Sequence, residues 1–183
     1  MSRAERYFAG ILGLFAVAIL SGWLAGCAHT PVLTSGIPHL LQVDKPQNVW
    51  RSGQPPPTAE AWAAIQALGI TNVVQLDMPE EGSDSKALLI GIQIQHFPIS
   101  LWEQTVGHPS DVMMHMAVRA IVLNSLVHCV RGNDRTGLVV ALYRLSCGWT
   151  KADAQAEMFA NGFSGEPGLL AYWLEQRVKD WRQ

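Results

Sequence analysis

The chain has 183 residues, 49% of them hydrophobic and 15% charged, with a net charge of −2. That length holds one ordinary domain plus a short extra segment, and the composition readily supplies a buried core. The charge excludes a general electrostatic attraction for nucleic acid, and three cysteines (Cys27, Cys129 and Cys147) exclude a disulfide framework.

In chain order, Arg3 and Arg6 come first as a short positive region, residues 7–20 are apolar and uncharged, and Leu24-Ala25-Gly26-Cys27 follows. This ending resembles the bacterial lipoprotein signal, which implies cleavage before Cys27 and acylation of that residue. An uncleaved signal anchor is the alternative, since residues 7–26 are long enough to span a bilayer. Both readings tether the domain and put it outside the cytoplasm, because the positive residues stay inside. With Ala28 after the cysteine, and by resemblance to sorting rules, the expected location is the bacterial cell envelope, lipid-anchored at the outer membrane and facing the periplasm. Residues 1–26 are thus expected as signal peptide, 27–46 as tether and 47–183 as the folded domain. Pro31, Gly36, Pro38 and Pro46 leave the tether without sustained periodicity.

Residues 49–51 read as a strand closed by Gly53 and three prolines. Thr58 reads as an N-cap for a helix over 59–68, with Gly69 at C′. A β-branched strand over 70–76, a polar turn over 82–85, a short helix over 86–90 and a strand over 92–97 follow. The stretch to Pro109 reads as a loop. Ser110 or Asp111 caps a helix to about residue 123, and 126–129 is a short buried strand. Residues 135–146 read as a central helix. Thr150 with Asp153 opens another that stops near Asn161-Gly162, and a last one runs from Pro167 to about Trp181. Strands alternating with helices predict an α/β fold, a single domain with a central, mainly parallel sheet flanked by helices. Such sheets place ligands at the carboxyl ends of their strands.

At one of those ends stands His128-Cys129-Val130-Arg131-Gly132-Asn133-Asp134-Arg135-Thr136-Gly137. A cysteine ends a buried strand, and a five-residue loop leads to an arginine at a helix start. Such a loop can turn its N–H groups inward as an anion site that the helix N-terminus strengthens. That field favours a nucleophilic thiolate at Cys129, and the planar fork of Arg135 matches two phosphate oxygens. Gly132 and Gly137 permit unusual dihedrals and close backbone approach.

These residues resemble the protein tyrosine phosphatase signature, and within that superfamily the small bacterial dual-specificity enzymes. Arg51-Ser52-Gly53-Gln54-Pro55, Leu68-Gly69-Ile70 and His96-Phe97-Pro98 extend the resemblance over roughly residues 47–175. It implies a metal- and cofactor-independent phosphatase in which Cys129 forms phosphocysteine. Val130, Arg131, Gly132, Asn133, Asp134 and Arg135 would bind phosphate, and Thr136 would donate to the Cys129 sulfur. His128 would hydrogen-bond behind the loop, or is a satisfied core histidine. The general acid stays open among Asp134, Asp111 and Glu103, with Asp134 also readable as a structural partner of Arg51 or Arg131. The implied partners are a phosphorylated protein, or a phosphorylated small molecule or lipid. Rival readings are a rhodanese-like sulfurtransferase, whose loop usually lacks the Arg-Thr-Gly ending, and a phosphate-binding module without turnover.

Cys147 falls about 18 Å along the helix from Arg135, too far to bridge Cys129, and reads as core or helix-end packing. Trp62, Trp149, Trp173 and Trp181 read as core anchors. Trp102 reads equally as packing or as a pocket residue.

Overall fold

The computed structural model describes residues 36–99 and 111–164, with only the backbone of Asp111. A five-stranded sheet runs through them in the order β1-β2-β5-β3-β4. Its strands are β1 (Leu41–Asp44), β2 (Val49–Ser52), β3 (Asn72–Gln75), β4 (Gln93–His96) and β5 (Ser125–His128). β2, β5, β3 and β4 are mutually parallel, and β1 lies antiparallel on the β2 edge. The helices are α1 (Ala59–Ala67), α2 (Ser85–Leu89), α3 (Asp111–Arg119), α4 (Asp134–Ser146) and α5 (Lys151–Ala160). This is the mixed α/β domain with a mainly parallel, helix-flanked sheet that the alternation of elements predicted.

Successive side chains of a strand face opposite ways, so each strand feeds two cores. Val74, Val127 and Cys129 pack with α3, α4 and α5, whereas Val73 and Leu126 pack with Trp62 and Ile65 of α1 and Ala87 of α2. β5 is central and fully buried, as expected for a strand covered on both faces. The register sets Arg51 and Val74 beside Val127, and Ser52 and Gln75 beside His128. Arg51 and Cys129 therefore belong to the α4 face, and His128 to the α2 face.

Local signals fixed several boundaries. The Thr58 hydroxyl accepts from Ala61 N and caps α1, and Gly69 takes the left-handed φ of +78° that a C′ residue needs. Thr150 accepts from Asp153 N at 3.2 Å and opens α5.

The structure departs from the expectations at three places and decides between the two readings of Cys147. Residues 41–44, counted with the tether, form β1, and the Tyr143 hydroxyl of α4 donates to Asp44 Oδ2 at 2.9 Å. Only Val43 of β1 is buried, so the strand owes its existence to pairing with β2 rather than to its own pattern. α3 ends at Arg119, short of residue 123. Cys147 caps α4 and is exposed, so it packs at the helix end and not in the core. Trp62 is a core anchor, but Trp149 is 39% exposed, with the Arg144 guanidinium stacked 4.0 Å from its ring centroid. The last expected helix, Trp173 and Trp181, Trp102, Glu103 and the N-terminal segment with Cys27 lie outside the described residues.

Candidate active site

β5 ends at His128, residues 129–133 form a loop, and α4 starts at Asp134. Two carbonyls of the loop are tied to the end of β2. Gln54 N donates to Val130 O at 3.0 Å, and Arg51 Nη2 donates to Gly132 O at 2.7 Å. In a planar trans peptide the N–H points opposite to the carbonyl. Fixing these carbonyls on β2 therefore turns the amides of Arg131 and Asn133 away from it, the orientation an anion-binding nest needs. The Gly132 N–H donates to Cys129 Sγ at 3.3 Å.

This geometry needs glycine twice. Gly132 has φ +80°, and a Cβ there would lie 2.5 Å from Gly53 N. A Cβ on Gly53 would meet Val130 O at 3.0 Å. The loop and the β2 end are thus in direct main-chain contact. Arg51, 1% exposed, stands beneath this contact. Burial lowers its pKa, against the opposing fields of Glu157 and Cys129.

Arg135, the second residue of α4, has its side chain largely buried, and Glu81 takes one edge of its guanidinium. Nη1 donates to Glu81 Oε2 at 2.5 Å and Nη2 to Glu81 Oε1 at 3.1 Å. Nη1 also reaches Leu76 O and Ile99 O at 3.4 Å. Nε is buried without a hydrogen-bond partner among the described residues. The guanidinium carries five N–H donors in a planar fork, so an end-on carboxylate leaves the Nε side available for a second bidentate acceptor. Burial opposes the Arg135 charge, but the Glu81 hydrogen bond and the fields of Cys129, Glu81 and Asp77 outweigh it and raise the pKa. In return, the hydrogen bond from Arg135 holds the Glu81 carboxyl below its ordinary range.

His128 is fully buried. Its Nε2 hydrogen-bonds Asp84 Oδ2 at 2.7 Å, and its Nδ1 lies 3.5 Å from Asp77 Oδ2. Burial alone would lower its pKa, but the hydrogen bonds and fields of Asp77 and Asp84 carry it up to about 9.

Cys129, Gly132, His128, Arg135 and Thr136 are therefore assembled around one loop, with Val130 and Asn133 half-buried and Arg131 exposed. One expectation changes. The Thr136 hydroxyl is buried but has no partner among the described residues, and the sulfur takes its hydrogen bond from Gly132 N instead. The buried His128 hydrogen-bonds Asp84, with Asp77 alongside, both from the segment after β3. Asp134 Oδ1 accepts from Ser164 N at 2.8 Å and Ser164 Oγ at 3.1 Å, while the hydrogen bond of Arg51 goes to Gly132 O. Asp111 is the first residue of α3.

The residues that sequence reasoning missed are Asp77, Glu81 and Asp84. A usable signal was present: Asp77, Glu80, Glu81 and Asp84 crowd into the nine residues after a parallel strand, where ligand sites collect.

Fold and loop together define a class: α/β domains in which a cysteine–arginine anion loop joins the central strand of a parallel sheet to a helix. A model of the tyrosine phosphatase family matches residues 42–160, and the chain belongs to that family. Over 45 residues it is 50% identical to the dual specificity protein phosphatase TpbA of Pseudomonas aeruginosa (strain UCBPP-PA14). That stretch is 24% of this chain and 21% of the relative, so the chain spans about a fifth of the length of the curated relatives it matches. Among solved structures, P. aeruginosa TpbA superposes with a TM-score of 0.61 at 24% identity, covering 79% of this chain and 88% of that one. The core catalytic domain of the PP-IP phosphatase SIW14 from S. cerevisiae gives 0.61 at 21% identity, covering 80% and 97%. A putative phosphatase (DUF442) from Shewanella putrefaciens CN-32 gives 0.61 at 19%, covering 82% and 97%. At these identities the structural likeness shows the fold.

Proposed function

We propose that this chain hydrolyses phosphate monoesters through a cysteinyl-phosphate intermediate, with Cys129 as nucleophile and Arg135 as phosphate clamp. One observation carries the reading. Glu81 occupies the end of the Arg135 guanidinium and leaves its Nε unpartnered, on the same loop where an amide donates to the Cys129 sulfur. That leaves a fork and a nest for the equatorial oxygens of a phosphoryl group in transfer.

The thiolate of Cys129 attacks phosphorus in line, the ester P–O bond breaks, and the leaving oxygen takes a proton from a general acid. Water then attacks phosphocysteine, the S–P bond breaks, and inorganic phosphate departs while sulfur keeps the electron pair. Asp134, with Oδ1 held by Ser164, supplies the proton in the first step and accepts one from water in the second. Asp111 and Glu103 are its rivals for this role.

The substrate in this reading is a phosphorylated protein at tyrosine or serine/threonine, in line with the dual-specificity relative. A phosphorylated small molecule is the second reading. It is favoured by the exposed Arg131 in the loop, which offers a further cation, and by the likeness to a PP-IP phosphatase. Acylation at Cys27 would hold the domain at the periplasmic face of the envelope. Cys27→Ser would then move the protein from the membrane pellet to the soluble fraction, and unchanged fractionation would refute the anchor.

The test is p-nitrophenyl phosphate hydrolysis by the full chain in detergent, reduced and with chelator, beside Cys129→Ser and Asp134→Asn. Metal-independent turnover lost in Cys129→Ser supports the cysteinyl mechanism, and its persistence there overturns it. Asp134→Asn lowers turnover of alkyl phosphates by about 100-fold. Unchanged turnover hands the role to Asp111 or Glu103.

A further inference from the structure

The segment between β3 and α2 reaches both ends of the loop. Asp77 lies 3.9 Å from Arg135 Nη2 and 3.5 Å from His128 Nδ1, Glu81 forks onto Arg135, and Asp84 binds His128 Nε2. Asp84 is 2% exposed and has both oxygens engaged. Oδ2 faces His128, and Oδ1 accepts from Gln54 Nε2 at 2.7 Å. The backbone N–H of that same Gln54 holds Val130 O of the loop. Asp84 is also the N-cap residue of α2, yet its side chain makes no capping hydrogen bond. An aspartate at this position ordinarily accepts from the helix's own N–H groups. Here the carboxylate is turned to His128 and Gln54 instead.

We infer that Asp84 is a positioning residue for the reaction proposed above: it holds the buried His128 ring as an imidazolium one residue before Cys129, and through Gln54 it ties that ring to the loop. Nε2 lies in hydrogen-bond contact with Asp84 at 2.7 Å, and Nδ1, without a hydrogen-bond partner among the described residues, stands 3.5 Å from the Asp77 carboxylate. Among the described residues, the charged groups around the ring are Asp84 at the start of α2, Asp77 after β3, and Arg135 of α4 beyond Asp77. Its strand neighbours Ser52 and Gln75 are neutral, and Arg51 belongs to the opposite face of the sheet. The His128 side chain lies on the face of the sheet opposite Cys129, so Asp84 acts on the sulfur through the loop. Gln54 N fixes Val130 O, and the loop amides oriented by that bond stabilise negative charge on the sulfur, both before attack and as phosphocysteine breaks.

The inference rests on the cysteinyl reading only for its catalytic consequence, and the experiment separates the two. The full chain in detergent, labelled with 15N-histidine, is observed at about pH 7.5, where an ordinary histidine is largely neutral. His128 is expected to show two protonated ring nitrogens in the wild type and a neutral tautomer in Asp84→Asn. Iodoacetamide alkylation of Cys129 at about pH 6 is expected to slow about tenfold in Asp84→Asn. The kcat for p-nitrophenyl phosphate should fall about tenfold with KM within about twofold, and Asp84→Glu should restore part of both rates. A neutral His128 in the wild type overturns the inference, whether or not the variant folds. So does Asp84→Asn with unchanged alkylation and kcat. If the ring and alkylation respond as expected but the wild type has no turnover, the proposed function fails and the assignment of Asp84 to His128 stands.

Discussion

Replacing Gly132 by alanine probes how closely the loop is pressed against β2. The residue has φ +80°, and a Cβ there would lie 2.5 Å from Gly53 N, 2.6 Å from the Ser52 carbonyl carbon and 2.7 Å from Ser52 O. The left-handed backbone alone costs alanine about 1–2 kcal/mol. All three neighbours are main-chain atoms, so no flexible side chain can yield. Ordinary contact starts at 3.4 Å, so the loop and β2 must part by about 0.9 Å (3.4 − 2.5). That opens the hydrogen bonds Arg51 Nη2–Gly132 O and Gln54 N–Val130 O, now 2.7 and 3.0 Å. At about 1 kcal/mol each, the total loss is about 3–4 kcal/mol. Urea unfolding followed by circular dichroism measures it. In the folded fraction, a shift of about 1 Å beside the proposed nucleophile should lower kcat on the order of 100-fold. A variant within about 0.5 kcal/mol of wild type and with unchanged kcat would show that the close approach does not hold the loop.

Other outcomes follow from the same contacts. His128 has its pKa raised to about 9, so its contribution is fully present below its unfolded value and fades as pH rises through 9. Urea melts between about pH 6.5 and 9.5 should show up to about 3 kcal/mol lost, and His128→Gln should flatten that slope. Glu81→Gln removes the carboxylate that fixes Arg135. Because Glu81 is partly exposed, stability should change by less than about 1 kcal/mol, whereas kcat/KM should fall about tenfold or more. Equal effects on folding and catalysis would contradict that. Arg51→Met leaves Gly132 O unpaired under the loop, and should cost about 1–3 kcal/mol in thermal or urea unfolding together with most of the turnover. Trp149→Ala removes only a surface stack on Arg144, and should shift stability by no more than about 1 kcal/mol with turnover unchanged.

Much of the site was legible because its signals are local. The spacing from Cys129 to Arg135, Gly132 between them, and a helix start directly after are all contained in one loop. Its placement at the end of a buried strand followed from the apolar run before it. The caps at Thr58 and Thr150 were readable for the same reason, since an N-cap bond spans only three residues. β1 was not legible. Four residues with a single buried side chain carry no period, and only pairing with β2 makes them a strand.

The sequence by itself determined which residues make up the candidate site: a cysteine, an arginine and the glycine between them, in an order that backbone geometry folds into a loop. Tertiary structure alone decided what holds them. The bonds that set the site join residues far apart in the chain: 44 positions from Asp84 to His128, 54 from Glu81 to Arg135 and 81 from Arg51 to Gly132. Those pairs meet because β5 sits between β2 and β3, so that the segments leaving all three strands end beside one another. Strand order is a property of long-range pairing, which no local pattern encodes. An acidic turn read by itself is a solvated loop. Set against the end of β5, it becomes the counter-charge to His128 and Arg135.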